Sequence, residues 1–291
     1  MESVVSKKIE LRDEGLNTTL LNKGYAVIPS FLSAGQIDNL LKFYSDCNLD
    51  QDKTQPNYLY LNPEKSFEIN RYIKSQIEAS FDENFNSGNL LGGVFMIKKP
   101  GENREVDFHQ DWSLVDETQH ISYNLWCPLT NVTKDSGALM IIDKSDKAGL
   151  PYRSSTFPPL EIGQQKKYTR FIKNFNLKAG DAIVYKHSLF HGSGNNNSPK
   201  DRIAIACGII PENAAFIYQH WNENTSTIES YEVDQSFYIR CIHDVLSGKI
   251  PEKYKCIKKV PMTSRPEISE AVFYKKLRKV HGVKRFIFFD F

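Results

Sequence analysis

The pattern of hydrophobic and polar positions changes character near residue 90. Before that point, apolar side chains recur every three to four residues over two stretches, which predicts amphipathic helices within 33–81. From about 90 to 220 the apolar runs are short or alternating and are separated by turn-forming residues, which is typical of strands. Eight strands are expected, at 91–98, 106–111, 121–127, 138–142, 171–177, 181–187, 202–210 and 214–219. The chain is therefore predicted to be mainly β with flanking helices, as a sandwich or barrel.

No internal repeat or low-complexity linker divides the chain. Ser33 is a candidate N-cap for the first helix. The irregular stretch 143–170 is longer than ordinary loops, which favours a role in covering or shaping a site. We interpret 1–291 as a single domain with a β core at about 90–220, N-terminal helices at 33–81 and a basic, helical C-terminal extension at 225–291, clearest from Glu267 to His281.

Composition describes an ordinary globular chain. Hydrophobic residues make up 40% and charged residues 25% of 291, which excludes wholesale disorder, and the net charge of +2 gives no indication of a nucleic-acid binder. No apolar run approaches the roughly 20 residues of a membrane span, and the N-terminus has no signal-peptide core. Five cysteines without a C-x-x-C pair favour a reducing cytoplasm.

Basic residues outnumber acidic ones by twelve to three between 249 and 285. An acidic partner or membrane surface is one reading, and a solvated helix face is the favoured one.

Candidate metal ligands occur in two distant segments. His109 and Asp111 are two apart on an expected strand and therefore point to the same side. His191 ends a later strand and enters a Gly-Ser-Gly turn, whereas His187, four residues earlier, is the weaker alternative. Two imidazoles and one carboxylate form the facial triad of non-haem Fe(II) oxygenases, which leaves three coordination positions open.

Arg202 opens the strand that follows this turn. Its planar guanidinium matches a carboxylate in bidentate fashion, and an inward Arg without an anion would be a costly buried charge. Ala204 and Ala206 share its strand face and leave room for such an anion.

Together these motifs resemble a known family. The sequence reads F-H-Q-D, then Y-N-L-W-x-P-L, D-S-G-A-L-M-I-I and G-D-A-I-V-Y-x-H-x-L-x-H-G-S-G-x-N, with Arg202 eleven residues after the last His. Over roughly 20–220 it resembles the phytanoyl-CoA dioxygenase family of Fe(II)/2-oxoglutarate oxygenases. The resemblance implies a double-stranded β-helix (a cupin-like jelly roll), Fe(II) held by His109, Asp111 and His191, and 2-oxoglutarate and O2 as cosubstrates.

Further site residues follow from this resemblance. Arg202 would hold the distal carboxylate of 2-oxoglutarate, and Ser193 would add a hydroxyl. Asn124 and Trp126 share a strand face and are candidates to line the cosubstrate pocket. Lys98 is either a further contact to the oxoacid or an exposed lysine at a strand end. The chain departs from the family pattern at 143–147, where D-K-S-D-K replaces P-G-S-H-K.

The sequence thus predicts an Fe(II)- and 2-oxoglutarate-dependent dioxygenase that oxidises an unactivated C–H bond of a small metabolite or natural-product intermediate. A polar or anionic substrate is favoured, because the segments expected to shape the pocket (53–65, 143–175 and 211–236) carry many charged and hydroxyl side chains. The alternatives are a non-catalytic jelly-roll binding protein and a zinc hydrolase on the same scaffold. Oligomeric state is left open.

Overall fold

The computed structural model describes residues 8–49, 61–101, 105–163 and 165–283. Most of the segment 53–65 and the last residues of the basic extension, 284–291, lie outside these ranges. The N-terminal elements are β1 (Glu10–Leu11), α1 (Glu14–Lys23), β2 (Tyr25–Ile28), α2 (Ala34–Asp46), α3 (Pro63–Asn84) and β3 (Phe85–Ser87). The central strands are β4 (Asn89–Lys98), β5 (Val106–His109), β6 (Tyr123–Pro128), β7 (Leu139–Ile142), β8 (Ile172–Phe175), β9 (Ala182–Lys186), β10 (His191–Ser193) and β11 (Arg202–Ile210). The C-terminal elements are β12 (Phe216–Asn222), β13 (Thr227–Val233), α4 (Phe237–Arg240), α5 (Ile242–Leu246), β14 (Cys256–Pro261) and α6 (Glu270–Val280).

Two antiparallel sheets form the centre of the molecule. The larger sheet has the strand order β2-β9-β6-β11-β4, and the smaller one has the order β5-β10-β7-β8. Side chains from both sheets, such as Trp126 and Ile183 on one and Leu139 and Ile141 on the other, share one apolar cluster. The prediction of a mainly β jelly roll is confirmed, and the two sheets do not close into a barrel.

Strand β6 shows how the larger sheet divides its side chains. Leu125 and Cys127 belong to the cluster beneath the N-terminal helices, whereas Trp126 belongs to the cluster between the sheets. This alternation is the period of two expected of a strand buried on both faces.

The N-terminal helices pack on the outer face of the larger sheet. Their apolar stripes join Phe95 and Ile205 in one buried cluster, as the 3.6-residue period predicts. Ser33 caps α2 in a full capping box with Gln36, which confirms its predicted role. Gly92 allows the close approach of α3, because a Cβ there would lie 1.9 Å from Asn70 Oδ1.

The prediction of a helical extension from 225 was wrong in its first part. Strands β13 and β14 pair with β12 in a three-stranded antiparallel sheet. The run T-I-E-S-Y-E-V does not show the alternating pattern of a strand, because the charged residue Glu229 is buried. The Glu229 carboxylate accepts hydrogen bonds from Lys259 Nζ at 2.6 Å and from the Tyr231 hydroxyl at 2.6 Å. The helix expected at 267–281 is present as α6.

Helix α6 covers part of the smaller sheet. Its buried residues Phe273 and Leu277 pack with Phe108 and Phe190. The segment 143–171 contains two short 3-10 turns, Ser145–Lys147 and Lys166–Phe171. In the described parts of the chain, no helix has the length and apolarity needed to cross a bilayer. The single-domain interpretation of 1–291 stays a prediction.

Candidate metal centre

His109, Asp111 and His191 meet at one edge of the smaller sheet. His109 is the last residue of β5 and His191 the first of β10, and the two are direct partners in the antiparallel ladder. Asp111 follows two residues after the strand end. One ligand atom of each residue lies within 4.8 Å of the others, so this is a group that could hold a metal ion. His191 Nε2 is 3.6 Å and His109 Nε2 3.9 Å from the Asp111 carboxylate.

Backbone contacts orient both imidazoles. His109 Nδ1 lies 2.9 Å from the Asp107 carbonyl, and His191 Nδ1 lies 3.0 Å from the Leu189 carbonyl. A carbonyl oxygen only accepts hydrogen bonds, so Nδ1 carries the proton in both rings. In the neutral form of each ring, Nε2 then carries the lone pair and faces Asp111, which is the tautomer that a metal ligand requires.

Asp111 is held as a carboxylate. Burial raises the pKa of Asp111, but the neighbouring imidazoles of His191, His187 and His109 outweigh it and lower the pKa to about 2. Asn124 Nδ2 also donates to Asp111 Oδ2 at 3.2 Å. The group is therefore ionised at neutral pH and suited to a cation.

His187 lies behind this group and is not one of its three members. Its Nδ1 is 2.9 Å from the Ser122 hydroxyl, and its carbonyl accepts from the Asp111 N–H at 3.1 Å. Burial lowers the pKa of His187 to about 4, so the ring is neutral at pH 7. The structure thus brings His191, the favoured candidate, to His109 and Asp111 and gives His187 a supporting position.

Arg202 and Lys98 form a buried cationic pair on the larger sheet. Arg202 on β11 pairs with Lys98 on β4 in the antiparallel ladder. Arg202 is 5% exposed and Lys98 is 0% exposed. Lys98 Nζ donates to the Gly194 carbonyl at 2.7 Å. Burial and the Arg202 charge lower the pKa of Lys98 to about 7. The reading of Lys98 as an exposed strand-end lysine is wrong.

The guanidinium of Arg202 is only partly satisfied. Its Nη1 donates to the Gly137 carbonyl at 3.4 Å, and its Cζ lies 5.4 Å from the centre of the Trp126 ring. Among the described residues, its buried Nε has no hydrogen-bond partner and no carboxylate lies within ion-pair distance of the guanidinium. A buried Arg in this state fits an anion that the chain itself does not supply.

Two of the remaining predicted residues contact these two groups. Asn124 and Trp126 are two apart on β6, so they share the face that looks into the jelly roll; Asn124 reaches Asp111 and Trp126 reaches Arg202. The Asn124 Oδ1 is buried without a partner among the described residues. Ser193 is buried at the end of β10.

Two contributors to the site were missed from the sequence. The Tyr185 ring packs 4.9 Å from that of His191, and its inward position on β9 follows the strand alternation that could have revealed it. Arg153, in the irregular stretch 143–170, is the other one. The structure buries it against Glu117, and its Nε donates to the Asp111 carbonyl at 2.7 Å. An irregular loop carries no periodic signal for such a contact.

A jelly roll whose inner edge carries two histidines and one aspartate is the arrangement found in non-haem iron oxygenases. The family model "Phytanoyl-CoA dioxygenase (PhyH)" matches residues 20–204, more than half of the 291 residues. The chain therefore belongs to the phytanoyl-CoA dioxygenase family.

Individual relatives match part of the chain. A phytanoyl-CoA dioxygenase domain-containing protein 1 homolog of Dictyostelium discoideum is 28% identical over 142 residues, which cover 46% of this chain and 50% of the relative. Phytanoyl-CoA dioxygenase 1 of Oryza sativa is 29% identical over 136 residues, 45% of this chain and 48% of the relative. The chain spans about half the length of these curated relatives.

Solved structures share the fold. HygX from Streptomyces hygroscopicus, crystallised with nickel, 2-oxoglutarate and hygromycin B, has a TM-score of 0.50 at 15% identity, with 69% of this chain and 88% of that chain covered. At this identity the likeness establishes a common jelly-roll architecture.

Proposed function

We propose that this protein is an Fe(II)- and 2-oxoglutarate-dependent dioxygenase that oxidises an unactivated C–H bond of a small molecule. One observation carries the proposal: a two-histidine, one-carboxylate group occurs in the same jelly roll as a buried arginine without a carboxylate partner among the described residues. The first suits a ferrous ion, and the second suits the far end of a dicarboxylic acid. Membership of the phytanoyl-CoA dioxygenase family supports the same activity.

The residues present fit both groups. Two imidazoles whose Nδ1 atoms donate to backbone carbonyls and an ionised carboxylate are the donor set of a non-haem iron site. The Nε of Arg202, which has no hydrogen-bond partner among the described residues, fits together with buried Lys98 an anionic group at the other end of the site. A zinc hydrolase needs no such cationic pair, which weighs against that alternative.

Iron with 2-oxoglutarate would supply the chemistry that couples oxidative decarboxylation of the oxoacid to oxidation of the substrate. The chain's own residues bind and orient. His109, Asp111 and His191 would hold the ion, while Asn124 fixes the direction of the Asp111 carboxylate. Arg202 would donate hydrogen bonds to the distal carboxylate of 2-oxoglutarate.

Three further residues would support the oxoacid. Lys98 adds charge beside Arg202, Trp126 forms an apolar floor under its guanidinium, and Ser193 adds a hydroxyl. Burial of this end keeps competing water away, so the charge interaction with the oxoacid is strong.

A compact substrate is favoured. A cavity of about 50 Å³ lies against Gln110 and Trp112, the two residues that flank Asp111. This volume is below that of ordinary ligand pockets and leaves no room for a long acyl thioester. The lining combines aromatic and apolar with polar side chains: Trp112, Leu150, Tyr152, Phe157, Gln110 and Ser154. HygX, whose crystal contains the polar small molecule hygromycin B, supports the same class of substrate.

The protein's surroundings complete the proposal. All five cysteines are free thiols, which supports a reducing compartment, and we take this to be the cytoplasm. The near-neutral net charge of +2 gives no support to nucleic-acid binding.

The test is release of labelled CO2 from 1-¹⁴C-2-oxoglutarate by purified protein, with ferrous iron, with zinc and with chelator. We expect slow, uncoupled release that requires iron and oxygen. Release that is equal with iron, zinc and chelator would reject the dioxygenase. Binding of 2-oxoglutarate and iron without any turnover would instead support the non-catalytic jelly-roll alternative.

A further inference from the structure

We propose that Arg153 is a positioning residue that fixes the Asp111 backbone and connects the candidate metal centre to the segment lining the neighbouring cavity. This inference rests on the proposed function, because it takes Asp111 to be a metal ligand. Arg153 lies 42 residues from Asp111 along the chain, in the irregular stretch between β7 and β8.

Asp111 needs such support because it lies outside the β ladder. Strand β5 ends at His109, so the sheet sets the position of the two imidazoles but not that of the carboxylate. The backbone N–H of Asp111 donates to the His187 carbonyl at 3.1 Å, and its carbonyl accepts from Arg153 Nε at 2.7 Å. These two bonds take over the role that ladder bonds play for His109.

The guanidinium of Arg153 is itself firmly held. Its two terminal nitrogens donate to the two carboxylate oxygens of Glu117, at 2.8 and 2.5 Å. Arg153 is 7% exposed, and the Glu117 side chain 14%. A bidentate pair at this depth fixes the plane of the guanidinium and therefore the direction of Nε toward Asp111.

Hydrogen bonds in both directions join the two segments. The Arg153 carbonyl accepts from the Ser113 N–H at 3.1 Å, while Arg153 Nη1 donates to the Leu150 carbonyl of its own segment at 2.8 Å. Gln110 Oε1 accepts from the Leu150 N–H at 3.3 Å. Residues 110–113 and 150–153 are therefore directly linked to each other by hydrogen bonds.

The same two segments line the cavity of about 50 Å³, and Arg153 is one of its wall residues. A molecule in that cavity would contact the side chain that holds Asp111. Arg153 thus connects the cavity directly to Asp111. The position of the Asp111 carboxylate, and with it the metal affinity of the centre, would therefore depend on what occupies the cavity.

Affinity of the metal-free protein for Mn²⁺ tests this inference without any turnover. Residues that orient metal ligands typically contribute roughly 10- to 100-fold to metal affinity, and we expect a loss of that size for Arg153→Met. Arg153→Lys keeps the charge but loses the planar guanidinium, so its Mn²⁺ affinity should lie between those of the wild type and Arg153→Met. Glu117→Gln should weaken binding by a few-fold. Arg170→Met is the matched control: Arg170 lies in the same stretch, is exposed, and should leave affinity unchanged.

Thermal unfolding of each metal-free variant separates positioning from folding. A purely structural Arg153 would lower the melting temperature and leave the Mn²⁺ affinity of the folded protein at the wild-type value, and that result would overturn the inference. If Arg153→Met does not fold, Arg153→Lys takes its place, and unchanged affinity there overturns the inference equally. Failure of wild-type protein to bind Mn²⁺ in an assay that detects a known iron oxygenase would reject the proposed function itself.

Discussion

The metal end of the candidate site, His109, Asp111 and His191, is built from strand ends and a loop, whereas the cationic end, Arg202 and Lys98, is built inside two long neighbouring strands. The side chains of His109 and Asp111 are 33% and 28% exposed, while Lys98 is fully buried. Ions and substrates can therefore reach one end, and the other is shielded from water.

The two ends are also positioned by different forces. Ladder register alone sets Arg202 opposite Lys98, so their backbone positions are as rigid as the sheet. Asp111 depends on individual side-chain contacts, from Asn124 and Arg153. Substitutions should thus separate the two ends: changes at the metal end alter metal affinity, and changes at the cationic end alter oxoacid affinity.

The largest effect is expected at Asp111 itself. Asp111→Ala removes the only anionic member of the group, so Mn²⁺ affinity should fall by more than the roughly 100-fold typical of a supporting residue. Isothermal titration of the metal-free protein measures it. An Mn²⁺ affinity within threefold of the wild type would mean that these three residues are not the metal site. The contrast drawn between the two ends of the candidate site would then be wrong.

Arg202→Met should produce two effects of opposite sign. Loss of a buried charged partner typically costs 2–5 kcal/mol of binding, so the affinity for 2-oxoglutarate should fall by roughly 30-fold or more. The metal-free protein should become more stable, by about 1 kcal/mol, because a buried charge without an anion is replaced by an apolar side chain.

Calorimetric unfolding and oxoacid titration give the two readouts for Arg202→Met. Mn²⁺ affinity is the control and should stay at the wild-type value. A parallel loss of metal and oxoacid binding would contradict the separation of the two ends.

The cationic end was the more predictable of the two from the sequence. An arginine opening an apolar strand, with small residues on its face, points to a buried guanidinium, and strand alternation places Trp126 on the inner face. The burial of Lys98 was not decidable, because the register that pairs it with Arg202 depends on two segments about 100 residues apart.

At the metal end, side-chain spacing brought out the three candidate ligands but not their supports. Arg153 and Glu117 come from irregular segments, where no period links a residue to its contacts. The same limit explains β13, whose buried Glu229 interrupts the apolar pattern of a strand. The burial of Arg153, Glu117 and Glu229 depends on tertiary contacts, which the local sequence pattern does not encode.

The pH dependence of oxoacid binding should sharpen the contrast further. Burial and Arg202 lower the pKa of Lys98 to about 7, and a bound carboxylate would raise it again. Below pH 7 the ammonium is already charged, so 2-oxoglutarate affinity should be constant. Above pH 7 binding must take up a proton, so affinity should fall by up to about tenfold per pH unit.

Lys98→Met is the control for this pH dependence. At pH 6.5 the affinity of this variant for 2-oxoglutarate should be lower than that of the wild type. Between pH 7 and 9 its affinity should decline much less than that of the wild type. An equal decline in the variant would assign the pH dependence to another group.

The smallest effect is expected at Asn124, the residue that links the two ends. Its amide donates one 3.2 Å hydrogen bond to the Asp111 carboxylate, and loss of such a bond costs about 1 kcal/mol, or roughly fivefold in Mn²⁺ affinity. Asn124→Ala should therefore weaken metal binding modestly, with 2-oxoglutarate affinity measured in parallel. Unchanged metal affinity would mean that backbone contacts alone orient Asp111. A loss as large as that of Asp111→Ala would make Asn124 a ligand in its own right, and the metal end would then extend onto β6 of the larger sheet.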